Sequence, residues 1–144
     1  MIKWALALAS SIVVLAGCGG SAHSDSTARV AHSPAEVAAA CDKTSAARQV
    51  YTDALARLGL KVSDTPLVRN ALGATEGFRL GAAELQRVTD GADRQAATLL
   101  VVSLSEQEKE LRAFIANNLP EAQKYGNKLN IPLQEALQKL GRIC

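Results

Sequence analysis

Residues 33–59, SPAEVAAACDKTSAARQVYTDALARLG, decide the fold class. Ser33 and Glu36 have the spacing of a capping box, and a proline between them suits the first position of a helix. Apolar residues then recur every three or four positions until Gly59, which suits the left-handed conformation that commonly ends a helix. The segment predicts an amphipathic helix over residues 34–58.

The same spacing occurs three more times along the chain. It predicts helices over approximately 66–89, 92–118 and 120–143. Each of the four would hold about 25 residues and extend about 37 Å, at 1.5 Å per residue. Rods of equal length joined by short turns predict an all-α, up-down-up-down four-helix bundle.

Two segments qualify this pattern. Residues 96–104 are apolar nearly all round, so we expect them to be the most deeply buried stretch of the domain. A capping-box pattern at Ser105 leaves open a break in the third helix, although the apolar spacing favours one continuous helix. Ile131 and Pro132 predict an interruption, and therefore a kink, in the fourth helix, because proline lacks the backbone donor.

The first residues have the order of an export signal. Lys3 is followed by an apolar run over residues 4–15 and then by small residues. The run is shorter than the roughly 20 apolar residues that a membrane-spanning helix needs. Leu15-Ala16-Gly17-Cys18 resembles the lipobox of bacterial lipoproteins. That resemblance covers the export segment alone.

The resemblance implies that residues 1–17 are a signal peptide and that Cys18 receives a diacylglycerol and becomes the new amino terminus. Its acyl chains, palmitate among them, would anchor the protein to the cell membrane or outer membrane on the extracytoplasmic side. Residues 18–33 lack apolar periodicity and read as a flexible tether for a domain at 34–144. The alternative is a secreted protein cleaved after an Ala-x-Ala-like site.

Once Cys18 carries lipid, Cys41 and Cys144 remain. We expect them to form a disulfide, because the compartment is oxidising and an up-down-up-down bundle brings these two ends together. Closing a loop of roughly 100 residues stabilises a fold by about 4.7 kcal/mol in the chain-entropy account. A redox or metal role is the alternative, but neither a Cys-x-x-Cys spacing nor a nearby histidine accompanies these cysteines.

Composition and histidine placement argue against most enzymes and against nucleic acid. A net charge of +2 in 144 residues gives no electrostatic reason for nucleic-acid binding. His23 and His32 both lie in the tether, so the domain offers no imidazole as base or metal ligand. We therefore expect no catalytic residues, no metal and no cofactor.

Other charged and aromatic residues have structural interpretations. Tyr51 and Tyr125 lie on apolar stripes and are predicted to be core or boundary residues rather than haem ligands. The acidic run around Glu108 predicts a solvated helix face. Four arginines are as compatible with pairing to acids on their own helix as with an anion-binding patch. These are Arg69, Arg79, Arg87 and Arg94.

One feature breaks a local rule. Gly73, Gly77 and Gly81 recur at every fourth position within the second helix, where each glycine costs about 1 kcal/mol relative to alanine. Close packing of a neighbouring helix is the favoured explanation. A locally loosened helix and one wall of a ligand pocket are the alternatives.

The sequence favours a membrane-anchored lipoprotein of the cell envelope whose helical domain acts as a protein interaction or accessory module. Its partner would be an envelope protein that the sequence does not identify. The alternative is a carrier or sensor that binds a small apolar ligand between the helices. A solid interior with an exposed apolar patch would favour the module, and an internal cavity with a mouth would favour the carrier.

Overall fold

The computed structural model describes residues 32–144, apart from the side chain of Asn130, and α-helix is the regular secondary structure of this part of the chain. Its helices are α1 (Pro34–Leu58), α2 (Thr65–Val88), α3 (Gly91–Ile115) and α4 (Leu119–Ile143). The all-α prediction is confirmed for these residues. The predicted signal peptide, Cys18 and the tether up to residue 31 lie outside the described residues.

The helix starts follow the capping residues in the sequence. Ser33 and Glu36 form the predicted capping box, in which the Ser33 backbone N–H donates to Glu36 Oε2 at 2.7 Å. The Asp64 carboxylate caps α2 at the N–H of Leu67. At the end of α3, Asn117 adopts a left-handed φ of 56°, which stops the helix three residues before the predicted end.

Consecutive helices run antiparallel. Thr44, early in α1, lies against Gly81, late in α2, while Leu58 at the end of α1 packs with Val68 near the start of α2. Arg79 on α2 pairs with Glu108 on α3 in the same reversed order. The extensive helix interfaces are those between successive helices, α1 with α2, α2 with α3, and α3 with α4.

The core consists of two apolar clusters. The larger contains residues from each of the four helices, and the Tyr51 and Phe78 rings meet there with centroids 5.1 Å apart. The smaller lies near the α1–α2 turn and is built on Leu58, Val68 and Leu111. Burial of these side chains, rather than helix propensity, supplies most of the stability of such helices.

Two expectations about helix continuity have different outcomes. α3 is one helix, as favoured, because the Ser105 hydroxyl donates to the Val101 carbonyl and does not cap a new helix. The predicted interruption at Pro132 is wrong, since α4 continues through it. Leu129 and Ala136 are buried on either side, so tertiary packing holds both halves of α4 in one helix.

The stretch expected to be the most deeply buried, residues 96–104 of α3, is buried or half-buried at each position except Val102. Ala97, Leu100 and Leu104 are buried, but Val102 is 54% exposed. α3 packs against α2 on one side and α4 on the other, and its remaining side faces solvent. Apolar residues on every side therefore do not imply burial on every side.

Cys41 and Cys144 are joined by a disulfide, with 5.4 Å between their Cα atoms. The bond connects the early part of α1 to the residue after α4, across 103 positions of sequence. Cys41 is half-buried and Cys144 is exposed. The bond therefore joins the first helix to the last, at the end of the domain where α1 begins and α4 ends.

Candidate functional site

The second helix has two differently built faces. Its inward face carries buried residues: Val68, Ala71, Thr75, Phe78, Ala82, Leu85 and Val88. Its outward face carries a second set, spaced alternately four and three positions apart and exposed except for the half-buried Glu84. This outward stripe consists of Pro66, Asn70, Gly73, Gly77, Leu80, Glu84 and Arg87. Such spacing keeps residues on one side of a helix over several turns.

The three glycines do not share one role. A Cβ added at Gly81 would lie 3.1 Å from the Thr44 Cα, so α1 approaches α2 closely there. The favoured close-packing explanation holds at this position. A Cβ at Gly73 or Gly77 would meet nothing within 4 Å, and both residues are exposed. Helix packing between the described residues therefore does not explain these two.

Residues of α1 continue the outward stripe. The Lys43 ammonium donates to the Glu84 carboxylate at 2.5 Å, and Thr44 lies against Gly81. By the same register, Val50 lies level with Gly77. Val50 is 60% exposed and Leu80 is 61% exposed. We call the outward stripe, together with the exposed Ala46 and Val50, the α2 surface.

Charge is arranged regularly along this surface. Asp64 and Arg69 lie near the start of α2, whereas Glu84 and Arg87 lie near its end, with the glycines and Leu80 between them. The hydrogen bond from Lys43 lowers the pKa of Glu84, so this carboxylate is ionised at neutral pH. The α2 surface therefore has an apolar centre with Glu84 and Arg87 at one end, and Asp64 and Arg69 lie beside its other end.

A polar group lies where α1, α3 and α4 approach one another. The Tyr51 hydroxyl donates to Gln107 Oε1 at 2.7 Å, and burial raises the pKa of Tyr51. A Cβ added at Gly126 would lie 2.6 Å from Glu110 Oε1, so Gly126 leaves room for this carboxylate. Burial raises the pKa of Glu110. The arrangement fixes helix positions without bringing together a base, a nucleophile and an oxyanion site.

The acidic run on α3 is not the solvated face that was predicted. Glu108 is 9% exposed and pairs with Arg79 at 2.5 Å. Glu106 and Glu110 are half-buried. This part of α3 contacts both α2 and α4. Glu108 is therefore shielded from solvent on the side of α2, and Glu110 is partly shielded on the side of α4. Alternating charge in the sequence does not disclose which neighbours a helix has.

The arginine pairs cross between helices rather than along them. Arg79 and Glu76, both on α2, pair with Glu108 and Arg112 of α3. Tyr51 is buried, in agreement with the core prediction, and Tyr125 is half-buried, with its hydroxyl donating to Glu121. These pairs set the register of α2 against α3.

The concavities lined by described residues are open to solvent. One of about 560 Å³ lies beside the disulfide, against Val37 and Ile143, and one of about 220 Å³ lies between Ala96 of α3 and Lys139 of α4. Among residues 32–144, no three histidine, cysteine, aspartate or glutamate side chains converge as a metal site would require. Within residues 32–144, no helix contains an apolar stretch long enough to cross a bilayer.

No protein family, curated protein or solved structure matches this chain.

Sequence reasoning singled out the glycines but missed the surface that contains them. The available signal was the second periodicity of α2, in which Leu80, Glu84 and Arg87 continue the positions of Gly73 and Gly77. The inward stripe obscured it, because Leu80 is the one large apolar residue of α2 that is exposed. Val50 is a separate case, since only the register of α1 against α2 brings it beside that stripe.

Proposed function

We propose that this chain is a membrane-anchored lipoprotein of the cell envelope whose helical domain is a non-enzymatic protein interaction module. Acylated Cys18 is the anchor, with palmitate among its acyl chains, and residues 18–33 are the tether. The domain is an up-down-up-down four-helix bundle, closed by the Cys41–Cys144 disulfide, on the extracytoplasmic side of the cell membrane or outer membrane. Two or three acyl chains hold a protein firmly, whereas one gives marginal attachment.

The observation that carries the interaction role is the contrast between interior and surface. Phe78, Leu85 and Leu100 are fully buried in a core that draws on all four described helices. Val50 and Leu80 meanwhile remain exposed on the α2 surface, where the helix register places them near two bare glycines. The other exposed large apolar side chains of the described residues lie outside this surface: Leu60, Val102, Leu119 and Ile131. Exposed apolar residues that are grouped rather than scattered commonly mark interaction sites.

The same contrast disfavours the carrier alternative. That hypothesis uses Gly73, Gly77 and Gly81 as one wall of a cavity between helices. Gly81 is instead covered by Thr44, while Gly73 and Gly77 face outward. A small apolar ligand there would remain open to solvent on one side, which gives little hydrophobic stabilisation.

The anchor is tested by the mass of the protein isolated from a bacterial host after export. We expect a chain beginning at Cys18 with acyl groups attached, and incorporation of labelled palmitate. A Cys18→Ser variant should carry no lipid and leave the membrane fraction. An unmodified Cys18, or cleavage at another residue, would contradict the anchor but leave the interaction role open.

The interaction role is tested separately by photo-crosslinking in intact cells. A photoreactive amino acid at Leu80 should give protein adducts, whereas one at Val102 serves as the control, because that α3 residue is similarly exposed and apolar. Equal yields at the two positions, or none at Leu80, would contradict a specific interaction through the α2 surface.

A further inference from the structure

We propose that the α2 surface binds a second copy of this chain, with the two α2 helices packed antiparallel and the twofold axis passing beside Gly77. The partner is inferred from self-complementarity in shape and in charge. This goes beyond the proposed function, and it holds whether or not Cys18 carries lipid.

The shape of the outward stripe is nearly symmetric about Gly77. Antiparallel packing centred there brings Leu80 of one copy level with Ala74 of the other, one residue and so about 1.5 Å along the helix from the exposed Gly73. Leu80 is 61% exposed, and a Cβ at Gly73 would meet nothing within 4 Å, so the leucine is a projection and the glycine a recess. At the centre, the two Gly77 residues face each other, and glycine allows helix backbones to approach closely. Both copies therefore supply a projection and the recess that receives it.

The first helix adds a contact at the same centre. A twofold axis between antiparallel α2 helices, perpendicular to them, leaves both α1 helices on one side of the pair. Val50 lies level with Gly77, by the register that joins Lys43 to Glu84. The two Val50 side chains therefore lie near the axis, and each is 60% exposed in the single chain. Their burial would extend the apolar centre from the glycines onto α1.

Charge selects the antiparallel arrangement. When the helices are reversed about Gly77, Glu84 of one copy comes level with Arg69 and Asn70 of the other. Arg87 likewise approaches the start of the second α2, where Asp64 caps the helix. In a parallel arrangement each charge would meet itself, Glu84 facing Glu84 and Arg87 facing Arg87. Like charges brought together in this way oppose association.

The contact area indicates a weak complex. α2 has 24 residues and so extends about 36 Å. A strip of that length and about one helix diameter in width, roughly 10 Å, falls below the interface size typical of stable dimers. We therefore expect self-association at high local concentration, and cross-linking detects this better than size-exclusion chromatography.

The first test uses cysteine variants in a Cys18→Ser background, purified after export with the native disulfide intact, so that the introduced cysteine supplies the reactive thiol. Val50→Cys should be joined to a second copy by a short bismaleimide reagent, because the two Val50 positions lie near the axis and both Gly77 residues stay bare. Val102→Cys is the matched control on α3 and should remain monomeric. Val50 is 60% exposed, so the smaller cysteine side chain fits there without a clash, and circular dichroism checks that both variants are folded.

The second test exchanges the charges. Glu84→Arg and Arg69→Glu should each weaken homodimers, because each places like charges opposite one another. A mixture of the two variants restores opposite charges at both contacts, so the mixed pair should exceed each homodimer by about tenfold in association constant. Differently tagged chains and native mass spectrometry measure this ratio.

The results decide the proposal in either direction. Selective cross-linking of Val50→Cys together with preference for the mixed pair supports it. Absence of cross-linking at millimolar chain concentration, equal cross-linking of Val102→Cys, or equal homodimer and mixed-pair constants would overturn it. None of these outcomes depends on a lipid or on another envelope partner, because purified chains that carry Cys18→Ser are measured.

Discussion

Alanine substitutions at the α2 glycines separate two effects that the sequence combines. Gly77→Ala should stabilise the monomer by about 0.5–1 kcal/mol, because alanine favours helix and no atom within 4 Å opposes its methyl group. Gly81→Ala receives the same helix benefit, but its Cβ would lie 3.1 Å from the Thr44 Cα. Relief requires movement of the α1 backbone, and such overpacking typically costs about 1–3 kcal/mol. We therefore expect Gly81→Ala to be less stable than Gly77→Ala by about 1–3 kcal/mol.

The measurement is urea unfolding followed by circular dichroism, at low micromolar concentration and with the disulfide intact. Gly73→Ala is a second open-position control and should behave as Gly77→Ala does. Equal stabilities for the alanine variants at 77 and 81 would refute the close approach of α1 to α2. A destabilising Gly77→Ala in the monomer would refute the open environment of that glycine.

Three further predictions concern covalent, ionic and pH-dependent stability. Replacing Cys41 and Cys144 together by alanine should lower the free energy of unfolding by up to about 4.7 kcal/mol. Adding reductant to the unaltered protein should lower its urea unfolding midpoint to that of this double variant. Glu108→Gln should lower the free energy of unfolding by about 1–3 kcal/mol, because it weakens the buried ion pair with Arg79. Lys43→Ala removes an exposed pair and should cost under about 1 kcal/mol. A larger cost for Lys43→Ala than for Glu108→Gln would contradict the burial of the Arg79–Glu108 pair. Burial raises the pKa of Glu110, so the stability linked to this group is fully present below the ordinary glutamate pKa of about 4.3 and is lost as the pH rises through the higher folded-state value. Glu110→Gln should therefore stabilise at pH about 7 and have little effect at pH about 3.5, and equal effects at both would contradict the shift.

The helices were predictable because their signals are local. The capping box at Ser33 and the apolar spacing that follows it both lie within one segment, and α1 has the predicted bounds of Pro34–Leu58. The cysteine pairing followed from counting thiols and from the topology of equal rods. In each case the deciding residues are close in sequence, or the topology permits few partners.

Pairing across helices was not predictable, because it depends on rotation and register. Glu76 could pair within α2 or with α3, and only the packed structure joins it to Arg112. The same applies to Gly126, which has no local role but leaves room for Glu110. Pro132 shows the converse, since a strong local signal for interruption is overcome by the buried residues on either side of it.

The outward glycines connect the fold to the proposed self-association. Glycine within a helix costs about 1 kcal/mol relative to alanine, and contact with Thr44 offsets that cost only at Gly81. If Gly73 and Gly77 served nothing beyond the single chain, alanine there would stabilise the protein and alter nothing else. Pairing between copies predicts opposite effects: Gly73→Ala should stabilise the monomer and weaken dimer cross-linking, because its methyl group fills the recess for Leu80. Unchanged cross-linking of Val50→Cys in a Gly73→Ala background would exclude that contact.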